Sequence, residues 1–228
     1  LAGEPRQADL RAAAALTQAL AGATRIVSCA HARHTPAILA AAPAAAVLVL
    51  LGSTRKFTRW PDAHGNGVLA GEAALLASGR GGVMLHPTMI YGAEGEDNVR
   101  RLAALLRRLK LVPLPGGGRN LVQPIHQDDV TRCLVAALQH DWQCPGAMVI
   151  AGPTALPYAE LVRAVARAAG LPPPRIVPVP AWALIAASPL TALLPFVPHI
   201  RAAEIRRLLE DKAFPTAAMS ATLGVRPI

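Results

Sequence analysis

Short apolar runs alternate along the chain with longer segments that mix apolar and polar residues. Three of the runs, at 24–30 (TRIVSCA), 45–53 (AAVLVLLGS) and 82–87 (GVMLHP), are rich in aliphatic residues and are bounded by turn residues, which predicts β-strands. The 45–53 run is apolar almost throughout, as in a strand that helices cover on both faces. We therefore expect it to be a central strand.

The intervening segments have helical spacing and composition. The predicted helices are 10–22, 34–42, 68–79, 97–110, 128–140 and 155–170. Further strands are predicted at 121–126, 146–152 and 175–180, loops at 54–67 and 111–120, and Pro-punctuated helices over 181–228. Such alternation is typical of an α/β fold, in which helices wind on both faces of a parallel sheet.

The domain organisation follows from this order of elements. We expect a doubly wound sheet domain over 1–112 and a small mixed α/β subdomain over 113–228. The change from sheet segments to mixed elements is gradual between 92 and 125, so the boundary is predicted to be interleaved.

Composition excludes several classes of protein. With 228 residues, 53% of them hydrophobic and only 16% charged, the chain is long and apolar enough to bury a core. The net charge of +9 would suit a nucleic-acid ligand. The arginines are spread over several helices, however, and aromatic residues for base stacking make up only 4%, so we expect a solvated basic surface and no nucleic acid.

Cysteine spacing and the amino-terminal residues bear on location. Cys29, Cys133 and Cys144 form no CxxC pair, and His31 and His34 lack a third ligand nearby, so neither a disulfide framework nor a metal site is predicted. The chain opens on LAGEPRQADLR, which is unlike a secretory signal. We expect a reducing, cytoplasmic location.

One segment has no charged side chain between Arg175 and Arg201 and approaches the length of a membrane span. Pro189, Pro195 and Pro198 interrupt it, and each removes a backbone donor. A buried helix of the second subdomain is the favoured interpretation, and membrane contact is the alternative.

Four stretches together resemble the extended or atypical short-chain dehydrogenases/reductases, in the NAD(P)-dependent epimerase/dehydratase group. They are LLGST at 50–54, HPTMIYG at 86–92, PLPGGGRNLVQPIHQDDVTRCL at 113–134 and LPYAELVRAVARAAG at 156–170. Within that group the chain looks most like the branch related to an NAD(P)-binding accessory subunit of respiratory complex I. The resemblance implies a Rossmann-like sheet and NAD or NADP as cofactor.

The resemblance also implies a set of cofactor-binding positions. Asp9 and Leu10 match a pair that touches adenine, and Ala30 and His31 match positions that flank the ribose and the phosphates. The cofactor's nicotinamide would lie against Pro87 and Thr88.

Substrate-binding and catalytic positions carry over in the same way. Ser53 matches a serine that hydrogen-bonds the substrate carbonyl, and Tyr91 would shape the wall of the site. Asn98 and Arg119 are candidates for holding a substrate phosphate. His64 stands where the family has its catalytic tyrosine, which makes it a candidate acid/base.

Two departures from the family pattern change what we expect. No Gly-rich phosphate fingerprint occurs in the first fifty residues, so the chain resembles a family member that lacks about sixty residues, or two to three βα units, at its amino end. Cofactor binding is then expected to be weak or absent. Val68 stands where the family has the lysine of its Tyr-x-x-x-Lys pair, so ordinary Tyr/Lys chemistry is not expected.

The functional expectation is therefore an NAD(P)-binding-fold protein of the epimerase/dehydratase type that binds or converts a nucleotide-sugar-like or other small substrate. The alternative is a non-catalytic structural or regulatory subunit of a larger or membrane-associated complex. A sheet without its first strands would expose an edge. We therefore expect either a fragment of a longer reading frame or a domain whose edge is covered by a partner, for which a second copy, a protein or a peripheral membrane contact are the candidates.

Overall fold

The computed structural model describes residues 4–92, 97–193 and 200–228. The strands are β1 Arg25–Ser28, β2 Val47–Leu51, β3 Gly82–Pro87, β4 Ile90–Tyr91, β5 Leu111–Pro115, β6 Leu121–Val122, β7 Ile125–His126, β8 Pro145–Ile150, β9 Leu156–Pro157 and β10 Arg175–Val179. The helices are α1 Ala13–Leu20, α2 Thr35–Ala41, α3 Ala63–Ala77, α4 Asp97–Leu106, α5 Gln127–Gln139, α6 Tyr158–Ala168, α7 Ala181–Ala187, α8 Ala202–Arg207 and α9 Ala217–Leu223. Short 3-10 helices occupy Ala32–His34, Thr54–Phe57 and Ser188–Leu193.

The main sheet has four strands in the order β1-β2-β3-β8, all parallel. The register places Val49 beside Val27 on one side and Val83 on the other. The three predicted strands 24–30, 45–53 and 82–87 therefore lie side by side and parallel, which confirms the predicted α/β architecture. The predicted strand 146–152 supplies β8, the fourth member.

Both faces of this sheet are covered because neighbouring residues of each strand point in opposite directions. On one face Leu48, Leu50 and Met84 pack with residues of α2 and α3. On the other face Val49 and Leu85 pack against α5 and α9. The all-apolar β2 run that predicted a doubly covered strand is fully explained by these two layers.

The second half of the chain builds a smaller cluster and also returns to the main sheet. Strand β5 pairs in parallel with β10, and β6 pairs antiparallel with β9. The apolar stripes of α4 and α6 pack over them through residues such as Leu106, Val112 and Val162. Because β8 joins the main sheet, residues beyond 112 contribute to both layers, and the division at residue 112 remains a proposal.

Two predicted loops contain regular structure. Residues 111–115 form β5, although Pro113 and Pro115 lower strand propensity; in this two-stranded sheet their missing N–H groups are tolerated. Helix α3 begins at Ala63 rather than at Val68, because the Asp62 carboxylate caps it by accepting from the Gly65 N–H at 2.8 Å.

The prediction of a buried helix in the charge-free segment is wrong for α7. None of its residues is fully buried, and Trp182 is 74% exposed. The helix has only seven residues and contacts its neighbours along one side, which leaves the other side at the surface. Within the residues that the structure describes, no helix has both the length and the apolar character needed to cross a bilayer.

Candidate functional site

Three segments that follow neighbouring parallel strands meet at one edge of the main sheet. His31 comes after β1, Ser53 comes after β2, and Thr88 comes directly after β3. The carboxyl ends of parallel strands are where wound sheets bind their ligands. This edge is therefore the candidate site.

Ser53 is held in place by two hydrogen bonds, one made by its side-chain Oγ and one by its backbone N–H. Its Oγ accepts from the Arg55 N–H at 3.2 Å and so caps the 3-10 helix that follows. Its own N–H donates to His86 Nδ1 at 3.2 Å. A Cβ on Gly52 would lie 2.3 Å from that ring nitrogen, so the preceding residue must lack a side chain. The Ser53 hydroxyl hydrogen remains available to a ligand.

Behind Ser53 lies a cluster of Lys56, Glu72 and His86. His86 is 1% exposed, and its Nε2 lies 2.6 Å from Glu72 Oε2. The Lys56 ammonium forms an ion pair with the same carboxylate oxygen. Because Nδ1 accepts from Ser53, Nε2 must carry the ring hydrogen and donate it to Glu72.

Burial lowers the pKa of His86 to about 4, the Lys56 charge acts in the same direction, and Glu72 opposes both. The ring is therefore neutral at pH 7, which matches its role as acceptor from Ser53. This cluster was not predicted from the sequence. A glutamate within the Ala- and Leu-rich α3 was the available signal, since the resemblance places Glu72 after the family's lysine.

His31 and His64, predicted for different roles, lie in contact. Their ring centroids are 4.4 Å apart with the planes at 83°, an edge-to-face arrangement. The approach depends on glycines of α3: a Cβ on Gly71 would lie 2.1 Å from the Ala32 carbonyl oxygen, and one on Gly67 would lie 2.8 Å from the His31 ring. The structure thus brings the two histidines together through close packing of α3 on the 3-10 helix after β1.

The charges around the two rings favour their neutral forms. Burial lowers the pKa of His31, and the Arg33, His34 and Arg55 charges add to this effect. Burial also lowers the pKa of His64, with His31 and Arg55 acting in the same direction and the Asp62 carboxylate against them. Both rings can therefore accept a proton at neutral pH.

Arg55 connects the histidine pair with the Ser53 turn. Its Nε donates to Asp62 Oδ2 at 2.8 Å, while Asp62 also caps α3. Burial alone would raise the pKa of Asp62, but the Gly65 N–H and the Arg55 guanidinium outweigh it and lower that pKa. The carboxylate is therefore charged and holds Arg55 in place. Arg55 was not predicted as a site residue.

An apolar cavity of about 1070 Å³ opens beside Ser53 and Thr88. Its described lining comes from the turn after β2, from Thr88 and Met89, and from elements of the second half of the chain. Thr88 is 6% exposed, and its Oγ1 finds no hydrogen-bond partner among the described residues, although its N–H donates to the Ile150 carbonyl at 3.1 Å. Pro87 accepts from the Thr54 hydroxyl at 3.2 Å and holds the turn next to it.

The remaining predicted residues lie outside these contacts. Asp9 is exposed and accepts from the Arg11 N–H, and Leu10 packs on the α2–α3 side of the sheet. Ala30 is half-buried behind the β1 turn. Tyr91 packs edge-on against His126, with ring centroids 5.1 Å apart. These four contribute no described contact to the histidine pair or to the cavity wall.

The two residues predicted to hold a substrate phosphate are Arg119 and Asn98. Arg119 is exposed after a Gly-rich turn and is not among the described residues that line the cavity. The side chain of Asn98 falls outside the described residues. Both assignments stay predictions. Among the described residues no group of three or more His, Cys, Asp or Glu side chains is placed to hold a metal ion.

Comparison of the amino-acid sequence with known proteins does not assign the chain to a family. No family model matches the chain, and no curated protein matches it.

Solved structures match it well in fold. MoeE5, in complex with UDP-glucose and NAD, is 16% identical with a TM-score of 0.71, over 97% of this chain and 79% of that one. The NADPH-dependent quinone oxidoreductase QOR2 from Escherichia coli, complexed with NADPH, is 16% identical with a TM-score of 0.71, over 98% and 79%. A nucleoside-diphosphate-sugar epimerase from Staphylococcus aureus is 15% identical with a TM-score of 0.69, over 98% and 80%.

At this level of identity the comparisons establish the fold. The chain has the Rossmann-like architecture that these three structures share, as the sequence resemblance predicted. It spans about four fifths of each of the three structures.

Proposed function

We propose that this chain is an NAD(P)-binding protein of the epimerase/dehydratase type, with its site at the carboxyl edge of β1, β2 and β3. The observation that carries the proposal is the convergence of His31, Ser53 and Thr88 at the carboxyl ends of three neighbouring parallel strands, where Ser53 and Thr88 also line one cavity. The solved structures of similar fold that hold NAD or NADPH support it.

The residues present fit the nicotinamide end of such a site, where the substrate would react. Thr88 has an unpartnered hydroxyl and Ser53 a hydroxyl hydrogen that no described residue accepts, so both can bond the carbonyl group of a substrate. The pyrophosphate is different, since the first fifty residues contain no Gly-rich turn to hold it. We therefore expect weak binding by these 228 residues.

Proton transfer would fall to His64 and Ser53. His64 is neutral at pH 7 because burial and its cationic neighbours lower its pKa, so it can take a proton from a substrate hydroxyl. Ser53 accepts from the Arg55 N–H and can donate its own hydroxyl hydrogen to a substrate oxygen. The cofactor, when bound, would supply the hydride chemistry.

A non-catalytic role is the second candidate, and the position of Val68 favours it. The residue is 1% exposed and packs in the α3 side of the core, so no ammonium is available at the place where the resemblance expects lysine. The Lys56 ammonium lies near, at Glu72, one turn of α3 after Val68, but it forms an ion pair with that carboxylate.

Titration with NADH and with NADPH, followed by nicotinamide fluorescence, tests the proposal. Weak but saturable binding is expected. The variant His31→Glu places a negative charge beside the expected phosphate position and should weaken binding at least tenfold, because a like charge disfavours the ligand. The exposed His140 offers a matched control, and His140→Glu should bind like the wild type.

Three outcomes decide between the candidates. The absence of saturable binding of either dinucleotide removes the proposal, and equal binding by His31→Glu removes its placement at this edge. Saturable binding without turnover of any small carbonyl or alcohol substrate favours the non-catalytic subunit.

A further inference from the structure

The cavity beside Ser53 has walls that are mainly aliphatic. The volume of about 1070 Å³ is enough for a drug-sized molecule. Side chains from α4, β5, α6, α7 and α8 converge on it; representative wall residues are Leu102, Leu105, Val112, Leu161, Leu184 and Ile205. An apolar ligand would displace water from these surfaces, and a sugar would not find partners along them.

Most charged groups on the wall already have partners within the described part of the protein. Glu210 is 7% exposed and accepts from the Thr58 hydroxyl at 2.8 Å and from the Arg59 N–H at 2.6 Å. Lys212 lies 3.9 Å from the same carboxylate and donates to the Arg207 carbonyl at 3.0 Å. An anionic ligand would have to compete with these contacts.

Two further cations of the wall, Arg207 and Arg55, also lie beside carboxylates of the protein. Arg55 pairs with Asp62, and Arg207 lies 4.0 Å from Glu204. Burial lowers the pKa of Arg207, and repulsion from Arg55 adds to this. Arg59 donates to the Leu209 carbonyl at 3.0 Å, which leaves Arg101 as the one described guanidinium group of the wall without such a contact. The described wall therefore has no pair of uncommitted guanidinium groups of the kind that grips a diphosphate.

Thr88 supplies the unsatisfied polar atom. A buried hydroxyl without a hydrogen bond is unfavourable, and a ligand oxygen that accepts from it would remove that cost. Ser53, which borders the same cavity, has a hydroxyl hydrogen to donate as well. Two donors at one end of an apolar space suit a carbonyl oxygen.

We propose that this cavity binds an uncharged, largely apolar carbonyl compound, with the carbonyl oxygen at Thr88 and Ser53 and the apolar body against α4, α6 and α7. The inference rests on the proposed function, whose substrate class it names. It makes the substrate of this protein a hydrophobic ketone or aldehyde rather than a nucleotide sugar.

Equilibrium dialysis with benzophenone and with diphenylmethane, which lacks the carbonyl, tests the inference on the full chain. Benzophenone should bind at one site and about fivefold more tightly than diphenylmethane, the usual gain from one hydrogen bond. In Thr88→Val, which keeps the shape and removes the hydroxyl, this preference should disappear. UDP-glucose should neither bind nor displace benzophenone.

Wall variants test the location. Leu105→Gln places an amide in the wall and should weaken benzophenone binding at least fivefold. The control is Leu76→Gln, on the exposed side of α3, which should bind like the wild type. Circular dichroism of both variants shows whether the fold is kept, and Leu184→Gln replaces Leu105→Gln if the latter does not fold.

The outcomes separate this inference from the proposed function. Tighter binding of UDP-glucose than of benzophenone, no saturable benzophenone binding, or equal binding by the wall variant overturns the inference. Dinucleotide binding in the nicotinamide titration combined with any of these results leaves the proposed function intact. Benzophenone binding without dinucleotide binding removes the proposed function and keeps the apolar ligand site.

Discussion

His86 is enclosed between the Ser53 turn, Lys56 and Glu72, and its neutral ring is part of the site's support. Protonation at Nδ1 would replace the acceptor of the Ser53 N–H with a second donor. The hydrogen bond that fixes the turn after β2 would then be lost. The state of one buried ring thus determines the position of the residue we propose as a substrate ligand.

Acidification should destabilise the chain through this histidine. Burial, with Lys56, lowers the pKa of His86 to about 4 in the folded chain, from an ordinary 6.5. The unfolded chain takes up the proton below pH 6.5 while the folded chain does not, so stability is complete above 6.5 and falls as the pH drops towards 4. The loss approaches roughly 3 kcal/mol.

Urea denaturation at several pH values measures this effect. The dependence of the unfolding free energy on pH between 6.5 and 4 should be smaller in His86→Gln than in the wild type. Some dependence remains, because the pKa values of His31 and His64 are lowered too. His140→Gln, at an exposed ring, is the matched control and should keep the wild-type dependence; an unchanged dependence in His86→Gln contradicts the prediction.

The sequence predicted where some single residues lie in the fold, while their roles stay predictions. Ser53 and Thr88 follow strands, as their place in the chain suggested, and both line the cavity. His86 and Glu72 were not identified, because their contact joins β3 to α3 and a sequence does not state which side chains meet. The pairing of His31 with His64 was missed for the same reason, since thirty-two intervening residues separate them.

Helix α3 shows how packing can outweigh helix propensity. Its first two turns contain Gly65 and Gly67, which made the sequence there look like a loop, and Gly71 follows in the third turn. The glycines allow the helix to lie directly on the 3-10 helix Ala32–His34, and the Asp62 cap supports its start. Strand β5 is a similar case, in which the partner β10 compensates for two prolines.

Gly71→Ala should destabilise the chain although alanine is the better helix former. Propensity alone would add about 1 kcal/mol of stability. The new Cβ would lie 2.1 Å from the Ala32 carbonyl oxygen, however, so α3 must move away from that backbone. We expect a net loss of roughly 2 kcal/mol in the unfolding free energy, as is typical of overpacking.

Denaturation of Gly71→Ala and of a control in the same helix checks this. Ala73→Gly, on the exposed side of α3, should cost about 1 kcal/mol from propensity alone. Equal or higher stability of Gly71→Ala would show that the contact with Ala32 is not tight. Weaker dinucleotide binding by Gly71→Ala is also expected, because the histidine pair depends on the same packing.

Arg80 joins α2 to the start of β3. Its NH1 donates to the Leu39 carbonyl at 2.9 Å, and its NH2 contacts the carbonyls of Pro43 and Ala46. A guanidinium can hold several carbonyls at once and lies favourably at a helix carboxyl end. This single side chain closes the turn between α2 and β2.

Arg80→Met should lower the unfolding free energy by roughly 2 kcal/mol, because charged hydrogen bonds to buried carbonyls are lost while the aliphatic stem is kept. Arg80→Lys should restore only part of the lost unfolding free energy, since an ammonium cannot donate to all of these carbonyls at once. Thermal denaturation compared with Arg25→Met, an exposed strand residue, provides the measurement. A loss no greater than that of Arg25→Met contradicts the assignment.

At the scale of the whole molecule, β1 forms an open edge of the main sheet. In the part of the chain that the structure describes, β1 pairs only with β2, and Val27 is 39% exposed on the face that α5 and α9 cover elsewhere. An unpaired strand edge beside exposed apolar surface favours association. The predicted covering of this edge by another chain or surface remains a proposal.

Sedimentation velocity should show association that increases with protein concentration. Val27→Lys should reduce it, since a charged side chain at an edge strand opposes pairing with another chain. The control is Leu76→Lys, on an exposed leucine of α3 that is 45% accessible and distant from β1, and it should associate like the wild type. A monomer at every concentration contradicts the prediction.

The overall architecture was the most predictable level, because the alternation of apolar runs and amphipathic helices repeats over the whole chain. The order of β1, β2 and β3 followed from it, and the family resemblance agreed with the solved structures. The cavity could not be predicted, since its walls come from many separate elements whose packing angles no local pattern specifies.

The position of β8 also affects how the protein is made. Strand β3 receives its second neighbour only when residues 145–150 arrive, and Met219 and Leu223 then complete the layer over Val83 and Leu85. During translation the apolar side of β3 therefore stays uncovered until more than a hundred further residues have left the ribosome. We expect a nascent chain that stalls in this interval to bind a chaperone that recognises exposed apolar segments.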